Sequence, residues 1–301
     1  MPELPEVTVI VNGLNRKLKG LVFAGVEYDW PKKFLWGEYS AKDLQGTTVQ
    51  KVERIGKVVK IDVEKISGKN PSKTQGSTLK FSILIHLKLT GQLVYMDEKT
   101  RIAGGHPIPP LNAPVPNKTT RATFRFTNGG YLYFNDLRKF GWVKFVPSDE
   151  ESVSSAIGVL GPDALEITEK EFIERLKKKP QSRIKKLLMD QTFVSGVGNI
   201  YADESLWLAK VHPARSIVSL TDQEMKAIHK GIHDSMTLSI AKGGSSSNSF
   251  VGSGGEKGLF LSFANAYHMT GRPCARCKTI MVRKKMDGRS AHFCPNCQAL
   301  K

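Results

Sequence analysis

The chain has 301 residues, enough for two compact domains, and its apolar fraction of 40% belongs to a globular rather than a disordered protein. Lys and Arg number 45 against 28 Asp and Glu, and the net charge of +17 calls for a polyanionic partner, nucleic acid in preference to an anionic membrane surface. No run of roughly eighteen apolar residues is present to span a bilayer, and the leader 1–7 carries two glutamates and no apolar stretch, which excludes a secretory signal.

Pro5 suits the first position of a helix running to about residue 17, with Val7, Ile10, Val11, Leu14 and Leu18 on its apolar face and Gly20 ending it. From there to about residue 146 the signals are mostly strands. Short apolar or alternating runs cover 49–55, 57–63, 79–87 and 92–96. Ala122, Phe124 and Phe126 alternate with Arg121, Thr123, Arg125 and Thr127, and Asn128-Gly129 then turns the chain into 131–134, a hairpin signal. The segments 67–77 and 101–118 are predicted loops. This half reads as an antiparallel sandwich or barrel with an N-terminal helix, and the sandwich is the form expected.

The polar, turn-rich stretch 148–162 reads as a linker. Helices follow, two of them announced by the capping boxes Thr168-x-x-Glu171 and Thr221-x-x-Glu224. The first stops before Pro180, a second covers about 183–191, and a third starts near Asn199. The fourth, 222–241, carries Met225, Ile228, Ile232 and Met236 on one face and ends at Gly243-Gly244. The stretch onward to Gly258 is rich in Gly and Ser, a composition that predicts mobility.

All four cysteines fall in the last 28 residues, as expected of one local site in a reducing compartment rather than a disulfide framework. Cys274-x-x-Cys277 and Cys294-x-x-Cys297 are two knuckles sixteen residues apart, the spacing of a zinc ribbon. One structural Zn2+ is expected, since four thiolates leave no open position for water; two disulfides or free thiols are the alternative. Between the knuckles, 279–285 and 289–293 flank the turn Asp287-Gly288. Arg283, Lys284, Lys285 and Arg289 surround that turn, and Arg289 projects where it can reach a phosphate, unless the basic face is merely solvated.

Two further segments carry chemistry. Gln191 to Tyr201 joins two helices through Gly196-Val-Gly198-Asn199, and the N–H groups at the start of the second helix form an anion site to which Lys185 can contribute; a plain capped turn fits equally well. At the leader, loss of Met1 exposes the secondary amine of Pro2. Model α-amino groups titrate near pH ~8, so a useful fraction is unprotonated and able to attack a sugar C1′. The stiff Pro2-Glu3-Leu4-Pro5 segment keeps that amine beside the Glu3 carboxyl. Taken alone, this segment is also an ordinary helix start.

Together, Pro2-Glu3-Leu4-Pro5-Glu6-Val7, the Gly198-Asn199 junction and the terminal four-cysteine ribbon resemble the formamidopyrimidine-DNA glycosylase family, which includes the endonuclease VIII group. The resemblance covers nearly the whole chain. It implies an α+β multidomain protein: a catalytic β-sandwich domain with an N-terminal helix (1–147), a linker (148–162), a helix–two-turn–helix DNA-binding domain with a lesion-capping loop at 243–258 (163–265), and a zinc-ribbon finger (266–301). It makes Pro2 the Schiff-base nucleophile, Glu3 the acid that opens the sugar, Glu6 its support, Lys57 the sandwich lysine that assists at the lesion, and Arg289 the ribbon arginine that grips phosphates. Lys185 and Asn199 match the phosphate-binding pair. Leu89, Arg138 and Phe140 match the side chains that fill the gap left by a flipped base, with Lys139 beside them on the DNA.

The chain departs from the family pattern in places. His86-Leu87-Lys88-Leu89-Thr90-Gly91 stands where His-Leu-Gly-Met-Ser-Gly is usual, so Leu89 takes the methionine place; Leu137 replaces a proline, Lys139 an arginine and Thr8 a glutamate. These departures bear on opposite-base preference. The Glu-Leu-Pro-Glu leader and the long segment after Gly243 resemble the formamidopyrimidine branch more than the endonuclease VIII branch. The resemblance therefore implies a bifunctional glycosylase and abasic-site lyase of base excision repair, acting on 8-oxoguanine and formamidopyrimidines in duplex DNA. It also implies a cytoplasmic monomer, nucleoid-associated in a bacterium. Oxidised pyrimidines are the alternative substrates, and a non-catalytic zinc protein that binds damaged DNA or a membrane-surface protein are the alternatives from other classes.

Overall fold

The computed structural model describes residues 1–66, 78–105, 113–245 and 258–300. The predicted loop 67–77, part of the predicted loop 101–118 and most of the Gly/Ser stretch up to Gly258 lie outside them. The chain divides into two compact units, one built on Glu6–Gly158 with Met1–Pro2, the other on Val159–Ser245 and Leu259–Lys301 with Glu3–Pro5.

Helix α1 (Leu4–Leu18) leads into the first unit, which holds β1 (Phe23–Tyr28), β2 (Phe34–Leu35), α2 (Ala41–Leu44), β3 (Thr48–Ile55), β4 (Val58–Ile66), β5 (Thr78–His86), β6 (Gly91–Met96), β7 (Arg101–Gly105), β8 (Thr120–Phe126), β9 (Tyr131–Asp136), β10 (Trp142–Pro147) and α3 (Glu150–Ile157). The strands form two five-stranded sheets, β1-β8-β9-β6-β7 and β2-β10-β5-β4-β3. The pairing is antiparallel except between β2 and β10, which run parallel. The architecture is thus an open sandwich, and the all-antiparallel expectation fails only at the two-residue strand β2.

Alternation along the strands builds its core. Val59, Ile61 and Val63 of β4 and Phe81, Ile83 and Ile85 of β5 share one buried cluster with Phe124 and Phe126 of β8 and Leu132 and Phe134 of β9. The predicted stripe of α1, from Val7 to Leu18, joins the same cluster. Each such side chain stabilises the fold by roughly 1.5–3 kcal/mol.

Two expectations are corrected. Arg101–Gly105 is a strand, paired with β6 from Met96↔Arg101 to Gln92↔Gly105, rather than the start of a loop. The bare Cα of Gly104 is what the packing requires: a Cβ there would lie 2.4 Å from Cγ1 of Ile10 on α1. The predicted linker contains α3. Asp149 caps it by accepting from Ser152 N at 2.8 Å, and Val153 packs with Val58 and Leu84 on the outer face of the second sheet.

The second unit contains α4 (Glu169–Lys177), α5 (Ile184–Leu188), α6 (Asn199–Leu208), α7 (Asp222–Ala241) and the hairpin β11 (Val282–Met286) and β12 (Arg289–Phe293). Thr168 and Thr221 cap α4 and α7 as their sequences demand, and Met225, Ile228, Ile232 and Met236 of α7 are buried. Helix α5 is shorter than predicted, because Asp190 Oδ1 accepts from Thr192 N at 2.9 Å and offers the backbone a turn in place of another helical bond. No helix among the described residues is long and apolar enough to cross a membrane.

Candidate functional site

Glu3–Pro5 belong to the second unit and meet its Gly-rich junction. Leu4 is fully buried in the helical core, and its N–H donates to Gly196 O at 3.2 Å. Glu3 is 4% exposed, and its carboxylate lies on the first turn of α6, where Oε1 accepts from Ile200 N at 3.1 Å and Oε2 from Tyr201 N at 3.5 Å. The N-terminal end of a helix favours this negative charge. Both glycines are needed for the approach. A Cβ on Gly198 would stand 2.2 Å from Glu3 Cδ, and one on Gly196, whose φ is +100°, would stand 2.3 Å from Leu4 Cδ1. The sequence suggested that the free N–H groups of this helix meet a DNA phosphate; the structure gives two of them to Glu3. Asn199, the first residue of α6, has a buried side-chain oxygen with no hydrogen-bond partner among the described residues. Pro2 is buried, and its nitrogen is a tertiary amide while Met1 is attached.

Helix α6 continues as an anchor. Asp203 is completely buried; Lys185 Nζ lies 2.6 Å from its Oδ1, and His292 of β12 donates its backbone N–H to Oδ2 at 3.1 Å. Lys185 Nζ also donates to Ser290 O at 2.6 Å. Burial holds the Lys185 ammonium below the usual lysine range, against the opposing pull of Asp203. Glu204 accepts from the N–H groups of Asn265, Ala266 and Tyr267 at 2.8–2.9 Å, and burial pushes its carboxyl up. At the end of the helix, Arg276 donates to Trp207 O at 2.6 Å and lies 3.7 Å over the Trp207 ring. Asp203 and Glu204 escaped sequence reasoning. Their signal was two adjacent acids inside the otherwise apolar run Ile200–Leu208, where a charge must find partners.

The four cysteines come together as their spacing predicts. Their Sγ atoms lie within 4.8 Å of one another, none in a disulfide. Tetrahedral zinc at about 2.3 Å from each sulfur needs S···S separations of about 3.8 Å, so this donor set fits one structural zinc. The hairpin turn is two residues long, Asp287 at φ +49° and Gly288 at φ +77°, between the paired Met286 and Arg289. Arg289 is exposed at its end. Asp287 pairs with Arg183 at 3.3 Å, and a cleft of about 330 Å³ between α5 and this turn is lined by Lys185, Lys186 and Arg289 among others.

In the first unit, Lys57 is buried in the two-residue turn between β3 and β4, not in a strand as expected. His86 ends β5, and its Nδ1 accepts from Lys88 N at 3.0 Å. Burial, aided by the nearby Lys88 and Lys57 ammonium groups, pushes the His86 imidazole down to about 3. Leu89 is half-buried on the β5–β6 loop. Arg138, Lys139 and Phe140 are exposed on the β9–β10 loop, with the Arg138 guanidinium 4.6 Å over the Phe140 ring. Glu6, in α1, is buried. Neither Leu89 nor Phe140 is buried in a core.

Comparison with known proteins covers the same segments. The model described as the formamidopyrimidine-DNA glycosylase N-terminal domain matches residues 1–143, that of the formamidopyrimidine-DNA glycosylase H2TH domain matches 160–251, and that of a zinc finger found in FPG and IleRS matches 271–300. The formamidopyrimidine-DNA glycosylase of Pelotomaculum thermopropionicum is 35% identical over all of both chains, and that of Lactiplantibacillus plantarum 33% over 98% of each. Among solved structures, a complex of wild-type Lactococcus lactis Fpg with DNA containing N7-benzyl-Fapy-dG aligns over 99% of this chain and 100% of that one, with TM-score 0.81 and 31% identity. A complex of the Lactococcus lactis protein with abasic-site DNA aligns over the same shares at TM-score 0.80 and 29% identity.

Proposed function

Because the chain belongs to the formamidopyrimidine-DNA glycosylase family, we propose that it excises oxidised purines, 8-oxoguanine and formamidopyrimidines, from duplex DNA and then cuts the strand at the abasic sugar. The observation that carries this reading is the Glu3 carboxylate, fixed on the first turn of α6 one residue from Pro2.

With Met1 removed, the Pro2 nitrogen is a secondary amine. Its lone pair attacks C1′ of the damaged nucleotide as Glu3 delivers a proton to the ring oxygen. The sugar opens, the base departs with the glycosidic electron pair and takes up the proton that the amine sheds, and the amine nitrogen and C1′ become an iminium. Loss of the C2′ proton expels the 3′ phosphate, and a second elimination expels the 5′ phosphate. Water then hydrolyses the iminium and regenerates Pro2. No oxidant or reductant is consumed.

The remaining residues take supporting parts. Lys57 assists at the lesion, and Glu6 supports the leader. Arg289 and Asn199 hold phosphates, joined by Lys185 to the extent that its ion pair with Asp203 allows. Leu89, Arg138 and Phe140, with Lys139 beside them, occupy the stack while the lesion is extruded, a step that costs less at a damaged base. The zinc keeps the ribbon folded, and the enzyme works as a cytoplasmic monomer, nucleoid-associated in a bacterium.

Borohydride trapping on a duplex with 8-oxoguanine opposite cytosine tests the proposal. An adduct mapped to Pro2 supports nucleophile and substrate class together. Trapping only on an abasic site or thymine glycol would move the substrate to oxidised pyrimidines. Absence of any adduct from Met1-free protein would leave a DNA-binding zinc protein without this chemistry.

A further inference from the structure

The side chains assigned to the gap in the DNA stack sit on two separate loops of the first unit, one between β5 and β6 and one between β9 and β10. Each loop is closed at its root by a glycine with no room for a side chain. A Cβ on Gly91 would lie 2.4 Å from Leu87 O, and one on Gly141 would lie 2.7 Å from Phe134 Cζ and 2.9 Å from His86 O. Each also carries a lysine in the left-handed region, Lys88 at φ +49° and Lys139 at φ +57°. Such backbone persists in a non-glycine residue only where the surroundings enforce it.

One carboxylate lies between the loops. Asp136, fully buried at the end of β9, accepts the Thr90 hydroxyl on Oδ1. Arg138 N donates to the same Oδ1 at 3.2 Å and to Thr90 Oγ1 at 3.0 Å, and Gly141 N donates to Oδ2 at 2.7 Å. The backbone of Asp136 is held in turn, since Arg121 Nε donates to its carbonyl at 3.0 Å while the same guanidinium binds Asp29 and Lys118 O. Thr90 is the neighbour of Leu89, and Asp136 pairs with Gly91 across β6 and β9. The two loops therefore share one hydrogen-bonded centre.

We propose that Asp136 and Thr90 form a clasp that makes Leu89 on one loop and Arg138 with Phe140 on the other enter the DNA stack as a single body. Both are positioning residues, and the proposal rests on the reading of these loops as the gap-filling elements. A buried carboxylate with three neutral donors loses those bonds if either loop moves alone, so the loops move together.

The test is a double-mutant cycle. Leu89→Ala and Phe140→Ala are combined in the native background and in Thr90→Val, which keeps the side-chain shape and removes the hydroxyl. The readouts are single-turnover excision of 8-oxoguanine, nicking at a preformed abasic site, and fluorescence of 2-aminopurine placed beside the lesion to report unstacking. In the native background the double truncation should be little worse than either single one, a coupling of about tenfold. Thr90→Val should abolish that coupling, slow the fluorescence change about tenfold, and slow excision more than nicking; Thr90→Ser should restore all three. Coupling that survives Thr90→Val overturns the clasp, as does a Thr90→Val protein that nicks and excises with equal losses. A native protein that neither excises nor unstacks 2-aminopurine refutes the glycosylase reading instead, whereas a native unstacking signal indifferent to Thr90→Val refutes the clasp alone.

Discussion

The Glu3 carboxylate and the Cα of Gly198 are so close that a Cβ on Gly198 would stand 2.2 Å from Glu3 Cδ. The glycine is therefore part of the acid's seat. Gly198→Ala should displace the carboxylate from Ile200 N and lower base excision by about 100-fold, in the range expected for loss of a positioned acid. Glu3→Gln should reach a similar loss while retaining affinity for lesion DNA, and the double variant should be little worse than either. Single-turnover excision checks this; additive losses would show that Gly198 acts on something other than Glu3.

A second expectation concerns pH. Burial, then the Lys88 and Lys57 charges, pushes His86 down from the usual 6.5 to about 3, so the folded protein holds it neutral where the unfolded chain would protonate it. Its contribution to stability is complete above pH 6.5 and is lost as pH falls from 6.5 towards 3, at up to about 1.4 kcal/mol per pH unit. Denaturant unfolding of wild type and His86→Gln at several pH values should show the difference between them shrinking across that window. A difference independent of pH would sink the assignment.

Lys185 and Arg289 should separate in their effects. Lys185 is 4% exposed and paired with the fully buried Asp203. Lys185→Gln strands that carboxylate and should cost about 3–5 kcal/mol of stability. Arg289→Ala, at an exposed turn, should change stability by no more than about 0.5 kcal/mol, but should lower the slope of log K against log salt for DNA binding by about 0.9. The opposite pattern would mean that Lys185 is chiefly a phosphate contact.

Cys277→Ser should lose the zinc and, with it, the turn that carries Arg289. Metal content by atomic emission should fall from one per chain to near zero, and DNA affinity should fall with it. Retention of a full equivalent of zinc would contradict the four-thiolate site.

Much of this was legible where a residue's local neighbours decide its fate. The α7 stripe, both Thr caps, the cysteine knuckles and the Asp287-Gly288 turn all depend on spacings of four residues or fewer, and each emerged as expected. What escaped depends on partners far along the chain. The start of 101–118 looks like a loop until β7 pairs with β6 and Gly104 lies against Ile10, and α3 looks like a linker until Val153 meets Val58 and Leu84. The Gly196–Asn199 junction reads equally as an anion site and as a plain capped turn, because nothing local says that Glu3 will occupy the N–H groups beyond it. Thr90 and Asp136 were passed over as loop and strand-end residues, since their bond spans 46 positions.

The single helix α6 has consequences for how such a protein can diverge. Eight of its ten residues are buried. One end seats the Glu3 carboxylate, the middle holds the ribbon through Asp203 and Glu204, and the far end is tied to Arg276. A substitution in α6 cannot be absorbed by one of these connections without reaching another, so the helix has almost no freedom to drift. The loop tips have more: Leu137, Lys139 and Phe140 are exposed. New preferences for lesion or opposite base are therefore expected to arise by exchange of residues on those tips, while the chemistry held by α6 stays fixed.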